Sequence, residues 1–280
     1  MSGKSSLKRD RPSDVAKPED QRFRMTIAYD GAGYQGWQFQ KTGTGVQEKV
    51  EQALARLFPA KPRIHSSSRT DTGVHASAME VHFDVPKVQA RMTPDKLPLA
   101  VNAHLPADIR VMRARRARPG FHARFDASGK EYRYQVWNHS ALHPLHRRTA
   151  WQVGRPLDVK VMRAAAKHFI GEHDFRSFRA NPDYDTTSTI RTLSQVSVRR
   201  AGPLFTFVIR GNGFLYKMCR GIVGTLVKVG EGKISPDEIA GILAGKDRRL
   251  AGMTAPAHGL TLCKVFYGKQ TGRSAEADME

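Results

Sequence analysis

One segment of the sequence, residues 66–76 (SSSRTDTGVHA), concentrates side chains that are suited to chemistry. Its central group is the carboxylate of Asp71, which stands among an arginine, several hydroxyl groups, a glycine and a histidine. Carboxylates serve enzymes as nucleophiles and as bases. Serine, histidine and aspartate occur together here, but their presence in so short a segment does not produce the geometry of a hydrolase triad. Composition alone favours a solvated turn, because Asp, Thr, Ser and Gly are typical turn residues.

A second segment, residues 31–36 (GAGYQG), has the formal spacing G-x-G-x-x-G directly after a predicted strand. A dinucleotide site requires a helix that begins at this loop and directs its N-terminus toward the pyrophosphate. Here the helical periodicity begins only at Val46. We therefore interpret the segment as a glycine-rich turn that holds Tyr34 and Trp37, and not as a nucleotide site.

The charge of the chain points to its partner. The 280 residues include 46 Lys and Arg against 26 Asp and Glu, a formal net charge of +20. Such a surplus favours a polyanion such as RNA, since each neutralised phosphate releases a condensed counterion. No long apolar run or strongly basic amphipathic helix indicates a membrane. Cys219 and Cys263 show no C-x-x-C spacing and suit reduced thiols, which predicts a cytoplasmic protein.

Three histidines, His139, His143 and His146, have a spacing that zinc ligands can show. Pro144 and the neighbouring arginines interrupt a regular metal-binding helix, and no cysteine or carboxylate cluster completes a site. We predict a basic loop that partly faces RNA, with no metal bound.

Two successive series of strands and helices must position these groups. The first, residues 23–118, begins with a strand at Phe23, and apolar residues at helical spacing then predict a helix from Val46. Its remaining elements are predicted as a half-buried strand over residues 79–85, a second helix opened by Thr93 and Pro94, and a strand over residues 109–115.

The second series, residues 119–268, contains a strand with Tyr132 and Tyr134 on one face and a helix opened by Leu157 and Asp158. Residues 1–22 are predicted as a disordered tail and residues 269–280 as a polar tail. Frequent hairpins favour an α+β fold with mostly antiparallel sheet. The later elements are predicted as a hairpin of strands over residues 193–198 and 204–210, a helix over residues 214–229, a capping box at residues 235–238 and a last strand over residues 260–267.

Several segments together resemble the tRNA pseudouridine synthase A family. The string RTDTGVHA at residues 69–76 is similar to the family signature, and the companion segments appear in family order over residues 24–267. The companions are AYDG (28–31) with GWQ (36–38), GVQ (45–47), FHAR (121–124) with KEYRY (130–134), GEHDFRSF (171–178), GFL (213–215) with MCR (218–220), and GKDR (245–248).

The resemblance implies an enzyme that isomerises uridine to pseudouridine in the tRNA anticodon arm, at positions 38–40, without a metal or organic cofactor. It implies two α/β halves joined across a central basic cleft, and a homodimer. Asp71 matches the catalytic aspartate, and Tyr132 matches the tyrosine that packs against the target base. Arg220 matches the basic partner of the aspartate, and Arg69 the arginine that helps to displace the target nucleotide.

Physical chemistry agrees with these roles and leaves alternatives open. Desolvation disfavours an ionised carboxylate, whereas a guanidinium at contact distance favours it. Alternation along the strand leaves Tyr134 as an alternative to Tyr132, and Arg220 could instead be a solvent-facing helix residue. Two other functions remain: a noncatalytic RNA-binding protein, favoured by an Asp71 in open solvent, and a glycosidase or nucleosidase, which typically needs a second carboxylate.

Overall fold

A computed structural model of the chain describes residues 17–38, 43–180 and 188–268. It forms a ten-stranded sheet with the strand order β4-β1-β3-β10-β5-β9-β8-β7, in which β2 pairs with β3 and β6 with β5. The strands are β1 (Asp20–Tyr29), β2 (His65–Ser66), β3 (His75–Pro86), β4 (Ile109–Arg116), β5 (Ala127–Trp137), β6 (Trp151–Gln152), β7 (Gly171–Asp174), β8 (Ile190–Ala201), β9 (Leu204–Gly211) and β10 (Leu260–Tyr267). The helices are α1 (Val46–Leu57), α2 (Leu97–Asn102), α3 (Val159–Lys167), α4 (Met218–Gly230) and α5 (Glu238–Gly245).

The two predicted series of elements meet at a single pair of strands, β3 and β10. This contact is parallel and short, with His75 opposite Thr261 and Ala76 opposite Leu262. Most other strand pairs are antiparallel, which confirms the predicted α+β class. The junction lies at the C-terminal end of the chemistry-bearing segment (66–76), because His75 is the first residue of β3.

Each half buries the apolar face of its strands. Met25 and Ile27 on β1 are fully buried, and they lie in one core with Val50 and Leu54 of α1. This arrangement follows from the sequence, since side chains alternate across a strand and recur every three to four residues along a helix. No helix within the described ranges is long and apolar enough to cross a membrane.

Helix ends and the predicted hairpin confirm several local predictions. Asp158 caps α3, because its carboxylate accepts hydrogen bonds from the backbone N–H groups of Lys160 and Val161. The carboxylate of Glu238 accepts from the N–H of Ser235 at 2.6 Å, which is one half of the predicted capping box. Strands β8 and β9 pair as an antiparallel hairpin.

Five predicted element starts are wrong. Strands β3 and β8 begin at His75 and Ile190, and not at residues 79 and 193. Strand β1 begins at Asp20 and not at Phe23, because the polar Arg22 is buried and pairs with Asp84 at 2.6 Å. The predicted disordered tail is therefore too long at its C-terminal end, and the rest of it (1–16) and residues 269–280 lie outside the described residues. The other two errors concern helix starts.

Helix α2 begins at Leu97 and not at Pro94. In the turn before it, the carbonyl of Thr93 accepts from the N–H groups of Lys96 and Leu97. Helix α4 begins at Met218 and not at Phe214. The residue before it, Lys217, has a left-handed backbone with φ of 58° and separates the two segments.

A buried charge joins two neighbouring strands of the sheet. The side chain of Glu131 on β5 is fully buried and pairs with Arg133 on the same strand and with Arg210 on β9. Burial raises the pKa of the Glu131 carboxyl, but the two guanidinium groups outweigh burial and hold the pKa below its ordinary value. Glu131 therefore stabilises the β5–β9 pair as a carboxylate.

Replacing Glu131 by glutamine should make folding less stable at neutral pH and less sensitive to acid. Because the native pKa is depressed, the stabilisation is complete above the unfolded pKa of about 4.3 and is lost as the pH falls through the native pKa. We expect Glu131→Gln to lower the free energy of urea unfolding by about 2 kcal/mol at pH 7, with a difference that shrinks toward pH 3. The exposed Glu172→Gln is the matched control, and equal effects of both substitutions would contradict the prediction.

Candidate active site

The Asp71 loop, residues 67–74 between β2 and β3, lies on the glycine-rich turn of residues 31–37. The N–H of Trp37 donates to the carbonyl of Thr70 at 3.1 Å, and the N–H of Gly73 donates to the carbonyl of Tyr34 at 3.3 Å. The hydroxyl oxygens of Tyr29 and Thr70 are 2.8 Å apart. The loop is therefore held through its backbone by the preceding strand and turn.

Glycines permit this contact. A Cβ atom on Gly31 would lie 2.0 Å from the carbonyl oxygen of Val74, and one on Gly36 would lie 2.5 Å from that of Thr70. Gly36 also has φ of +87°, which disfavours any other residue. The G-x-G-x-x-G spacing thus reflects close packing against the Asp71 loop. The sequence correctly predicted that the helix after this turn begins only at Val46. It did not indicate that the turn contacts the Asp71 loop.

The Asp71 carboxylate contacts an arginine from the other half of the chain. Nη1 of Arg220 donates to Oδ2 of Asp71 at 3.0 Å, across 149 residues of sequence. The side chains are 21% exposed for Asp71 and 12% for Arg220, so both are largely withdrawn from water. Nε of Arg220 donates to the carbonyl of Ala255 at 2.7 Å, which fixes the plane of the guanidinium. Asp71 is therefore neither in open solvent nor unpaired.

Tyr132 on β5 faces the same region. Its ring packs edge-to-face against Phe214 with ring centroids 5.0 Å apart. Burial raises the pKa of Tyr132 well above its ordinary value, and the neighbouring Cys219 and Asp71 raise it further. Its phenol therefore stays protonated, and the ring offers a neutral aromatic surface beside the carboxylate.

Tyr134, the alternative to Tyr132, has a structural partner. Its hydroxyl donates to the carbonyl of Pro256 at 2.7 Å, and the side chain is fully buried. Burial raises the pKa of Tyr134 well above its ordinary value, with Arg220 acting in the opposite direction. Tyr134 thus lies beside the arginine, whereas Tyr132 is the tyrosine influenced by the charge of Asp71.

Arg69 is placed differently from the other predicted site residues. It belongs to the Asp71 loop, but its side chain is exposed. The structure therefore brings Asp71, Arg220 and Tyr132 into one region and leaves Arg69 at the surface near them.

His75 is a site residue that sequence reasoning did not single out. Its ring is buried, and Nδ1 accepts a hydrogen bond from the N–H of Gly31 at 3.0 Å. Nε2 lies 2.8 Å from the carbonyl oxygen of Arg148 and 3.1 Å from that of His258. Nδ1 also lies 3.1 Å from Oδ1 of Asp30. His75 therefore ties the end of the Asp71 loop to three other segments.

The histidine-rich loop does not assemble a metal site. The ring of His146 stacks on Trp137 with centroids 4.7 Å apart, and Nδ1 of His143 accepts from the N–H of Leu145. Throughout residues 17–38, 43–180 and 188–268, no group of three or more His, Cys, Asp or Glu side chains could hold a metal ion.

Comparisons with known proteins agree with these observations. A family model described as tRNA pseudouridine synthase matches residues 25–126 and 165–268. The chain is 46% identical over 254 residues to tRNA pseudouridine synthase A of Solidesulfovibrio magneticus, covering 88% of this chain and 91% of the relative. It is 45% identical over 248 residues to the protein of that name from Bacillus subtilis (strain 168), covering 88% and 99%. Its likeness to a chain of a solved Cbf5-Nop10-Gar1 complex is weak, with a TM-score of 0.34 and 11% identity over 88% of this chain and 60% of that chain.

Two alanine substitutions in the glycine-rich turn should separate packing from turn formation. Gly31→Ala introduces a Cβ into the Val74 carbonyl, whereas a Cβ on Gly33 meets nothing within 4 Å. We expect Gly31→Ala to lower the free energy of unfolding by about 2 kcal/mol and to speed amide hydrogen exchange in residues 70–74. Gly33→Ala should leave exchange unchanged. Slow exchange in both variants would show that the loop does not depend on this contact.

Proposed function

The chain belongs to the tRNA pseudouridine synthase family, and from this membership we propose that it isomerises uridine to pseudouridine in the anticodon arm of tRNA, at positions 38–40. The reaction breaks the bond between ribose C1′ and uracil N1 and forms a bond between C1′ and C5 of the same base. The observation that carries the proposal is the Asp71–Arg220 pair. It holds one carboxylate largely away from water, and both residues lie in the segments that the family model matches.

Asp71 is the catalytic carboxylate in this proposal. It acts as a nucleophile or as a base toward the target nucleotide, and either role needs the ionised form. Arg220 supports that form, since a guanidinium remains protonated when it is withdrawn from water. The hydrogen bond from Arg220 Nη1 also orients the carboxylate by engaging only its Oδ2 atom.

We propose that Tyr132 contacts the target base and that Arg69 fills the gap that the base leaves. The base must leave its stack to reach Asp71, which costs a few kcal/mol. In this proposal Arg69, which is exposed and two residues from Asp71, enters the vacated position. The neutral ring of Tyr132 then supplies an aromatic surface that retains the detached uracil while it turns.

We propose that the RNA also contacts the protein outside the Asp71 loop, along β4. Arg113 and Arg115 on β4 are exposed and pair with Thr26 and Arg24 on β1. Thr26 and Arg24 lie three and five residues before Tyr29, whose hydroxyl contacts Thr70 of the Asp71 loop. At the rise of a strand, Arg113 and Arg115 are therefore about 10 and 17 Å along the sheet from that contact. An extended substrate such as tRNA can reach both places.

The remaining parts of the proposal rest on family resemblance. The active protein is a homodimer that acts in the cytoplasm and uses neither a metal nor an organic cofactor. Its two halves meet across a basic cleft that receives the RNA. The second half is residues 119–268, and the first, predicted as residues 23–118, begins at Asp20 because β1 begins there.

The rival functions have less support. A noncatalytic RNA-binding protein has no need to withdraw a carboxylate from water and pair it with an arginine, yet Asp71 is only 21% exposed. A glycosidase or nucleosidase would release the base, whereas the proposed enzyme returns it to the same ribose. Analysis of the reaction for free uracil therefore distinguishes that class.

Asp71→Asn should abolish turnover and preserve tRNA binding. The substitution keeps the shape of the side chain and removes the charge, so the loop should still fold. Pseudouridine mapping at positions 38–40 should show complete modification by the wild type, with a chelator present, and none by the variant. Affinity for tRNA should be equal or slightly higher, since one negative charge is removed. The exposed Asp95→Asn is the matched control.

Near-normal turnover with lost stability in Asp71→Asn would identify the aspartate as a structural turn residue and overturn the proposed mechanism. Wild-type activity that stops with a chelator and returns with metal would contradict the cofactor-free reaction.

Binding of tRNA should weaken steeply with salt. The segment from Arg110 to Arg133 contains eight Lys or Arg and two acids, counted along the sequence. We expect Arg113→Gln with Arg115→Gln to lower the slope of log affinity against log salt by about 2 and to leave the rate at saturating tRNA unchanged. Arg56→Gln on the outer surface of α1 is the control. Affinity that is flat with salt would contradict this surface.

A further inference from the structure

Residues 251–256, here called the 251–256 segment, lie against helix α4 with their backbones in close contact. A Cβ on Gly224 of the helix would lie 1.8 Å from the carbonyl oxygen of Met253, and one on Gly252 would lie 2.7 Å from Cα of Thr225. The N–H of Gly252 donates to the hydroxyl of Thr225 at 2.9 Å. Glycine on both sides therefore lets the segment and the helix approach as closely as two backbones can.

This segment holds Arg220 at both its backbone and its side chain. The N–H of Ala255 donates to the carbonyl of Arg220 at 3.1 Å, and Nε of Arg220 donates to the carbonyl of Ala255 at 2.7 Å. The next carbonyl, that of Pro256, accepts from the hydroxyl of Tyr134. The orientation of the guanidinium toward Asp71 thus depends on where residue 255 lies.

A second arginine, Arg248, fixes the other end of the segment. Its Nη1 donates to the carbonyls of Gly252 at 2.8 Å and Ala251 at 3.4 Å, and its Nη2 lies 3.0 Å from the hydroxyl of Thr254. Burial lowers the pKa of Arg248, which is the direction expected when a cation is withdrawn from water. Among the described residues Arg248 forms no ion pair with a carboxylate, so its hydrogen bonds go to this segment.

The neighbouring Arg249 behaves differently. Its side chain is 90% exposed and pairs with Asp247 at 2.6 Å. The two adjacent arginines carry the same charge, but only Arg248 contacts the 251–256 segment.

We propose that Arg248 is a positioning residue for pseudouridine formation, acting through the 251–256 segment to hold Arg220 against Asp71. The inference rests on the proposed function of Asp71 and Arg220. Arg248 binds the backbone carbonyls of Ala251 and Gly252, and so keeps Ala255 where its carbonyl accepts from Nε of Arg220. Without Arg248 the segment shifts, the guanidinium loses its fixed plane, and the carboxylate loses the partner that orients it.

The test compares Arg248→Gln with Arg249→Gln, which remove the same charge at adjacent positions. Single-turnover rates are measured with saturating tRNA at a temperature where thermal unfolding shows every variant to be folded. We expect Arg248→Gln to slow the reaction between about tenfold and a hundredfold, the scale of a misplaced catalytic group. Arg249→Gln should keep the wild-type rate, and both variants should bind tRNA alike. Arg248→Lys should recover part of the rate, compared with Arg248→Gln, because it restores a positively charged donor.

A double-mutant cycle separates positioning from general destabilisation. In an Arg220→Lys background, the Arg248→Gln effect should nearly disappear, because Arg248 acts through the group already replaced. Equal slowing in both backgrounds would overturn the proposal. Thr254→Val, which removes one contact of Arg248 and keeps the side-chain shape, provides a milder variant if Arg248→Gln does not fold. It should slow the wild-type background and not the Arg220→Lys background.

The outcomes also separate this inference from the proposed function. A folded wild-type protein that forms no pseudouridine on tRNA would refute the function itself. An active wild type with equal rates for Arg248→Gln, Thr254→Val and Arg249→Gln would refute only the role of Arg248.

Discussion

The candidate site depends on one ion pair between distant parts of the chain. Asp71 and Arg220 are separated by 149 residues and must meet at 3.0 Å in a region from which water is largely withdrawn. Removing one member of such a pair leaves the other charge without compensation. This costs far more free energy of folding than removing one member of an exposed pair. Both sides of the pair are accordingly fixed by surrounding backbone. The rest of the fold can be understood as the means of bringing these two supports together.

Asp71 and Arg220 are both supported by the same kind of contact, in which glycine lets two backbone segments touch. On the Asp71 side, Gly31 and Gly36 allow the turn to touch the loop, and on the Arg220 side Gly224 and Gly252 allow the 251–256 segment to touch α4. Backbone-to-backbone contact has little freedom to adjust, since it contains no flexible side chain. Charged groups held in this way keep their separation without relying on their mutual attraction.

Local patterns predicted most of the elements, because alternation, helical spacing and capping residues act over a few positions. Asp158 illustrates this, since it caps α3 by accepting from N–H groups two and three positions away. Glu238 likewise accepts from the N–H of Ser235, three positions before it. The predicted start of α4 was wrong because apolar residues occur on both sides of Lys217, from Phe214 onward. The left-handed backbone of Lys217 cannot be predicted from hydrophobic spacing. Arg22 misled the prediction of β1 for a related reason. A buried arginine is recognisable only with its partner Asp84, 62 residues away.

The site shows the same division between local and distant information. Residue types alone favoured a plain turn around Asp71, and only resemblance to a family connected it with Arg220 and Tyr132. The role of the glycine-rich turn as a support, and the contacts of His75 and Arg248, depend on segments that sequence spacing does not relate.

The placement of β10 has a further consequence, for biosynthesis. This strand lies between β3 and β5, so both series of elements can emerge from the ribosome before residues 260–267 join their sheets. Long-range strand pairing of this kind is slow, so we expect the two series of strands to join into one sheet late in synthesis.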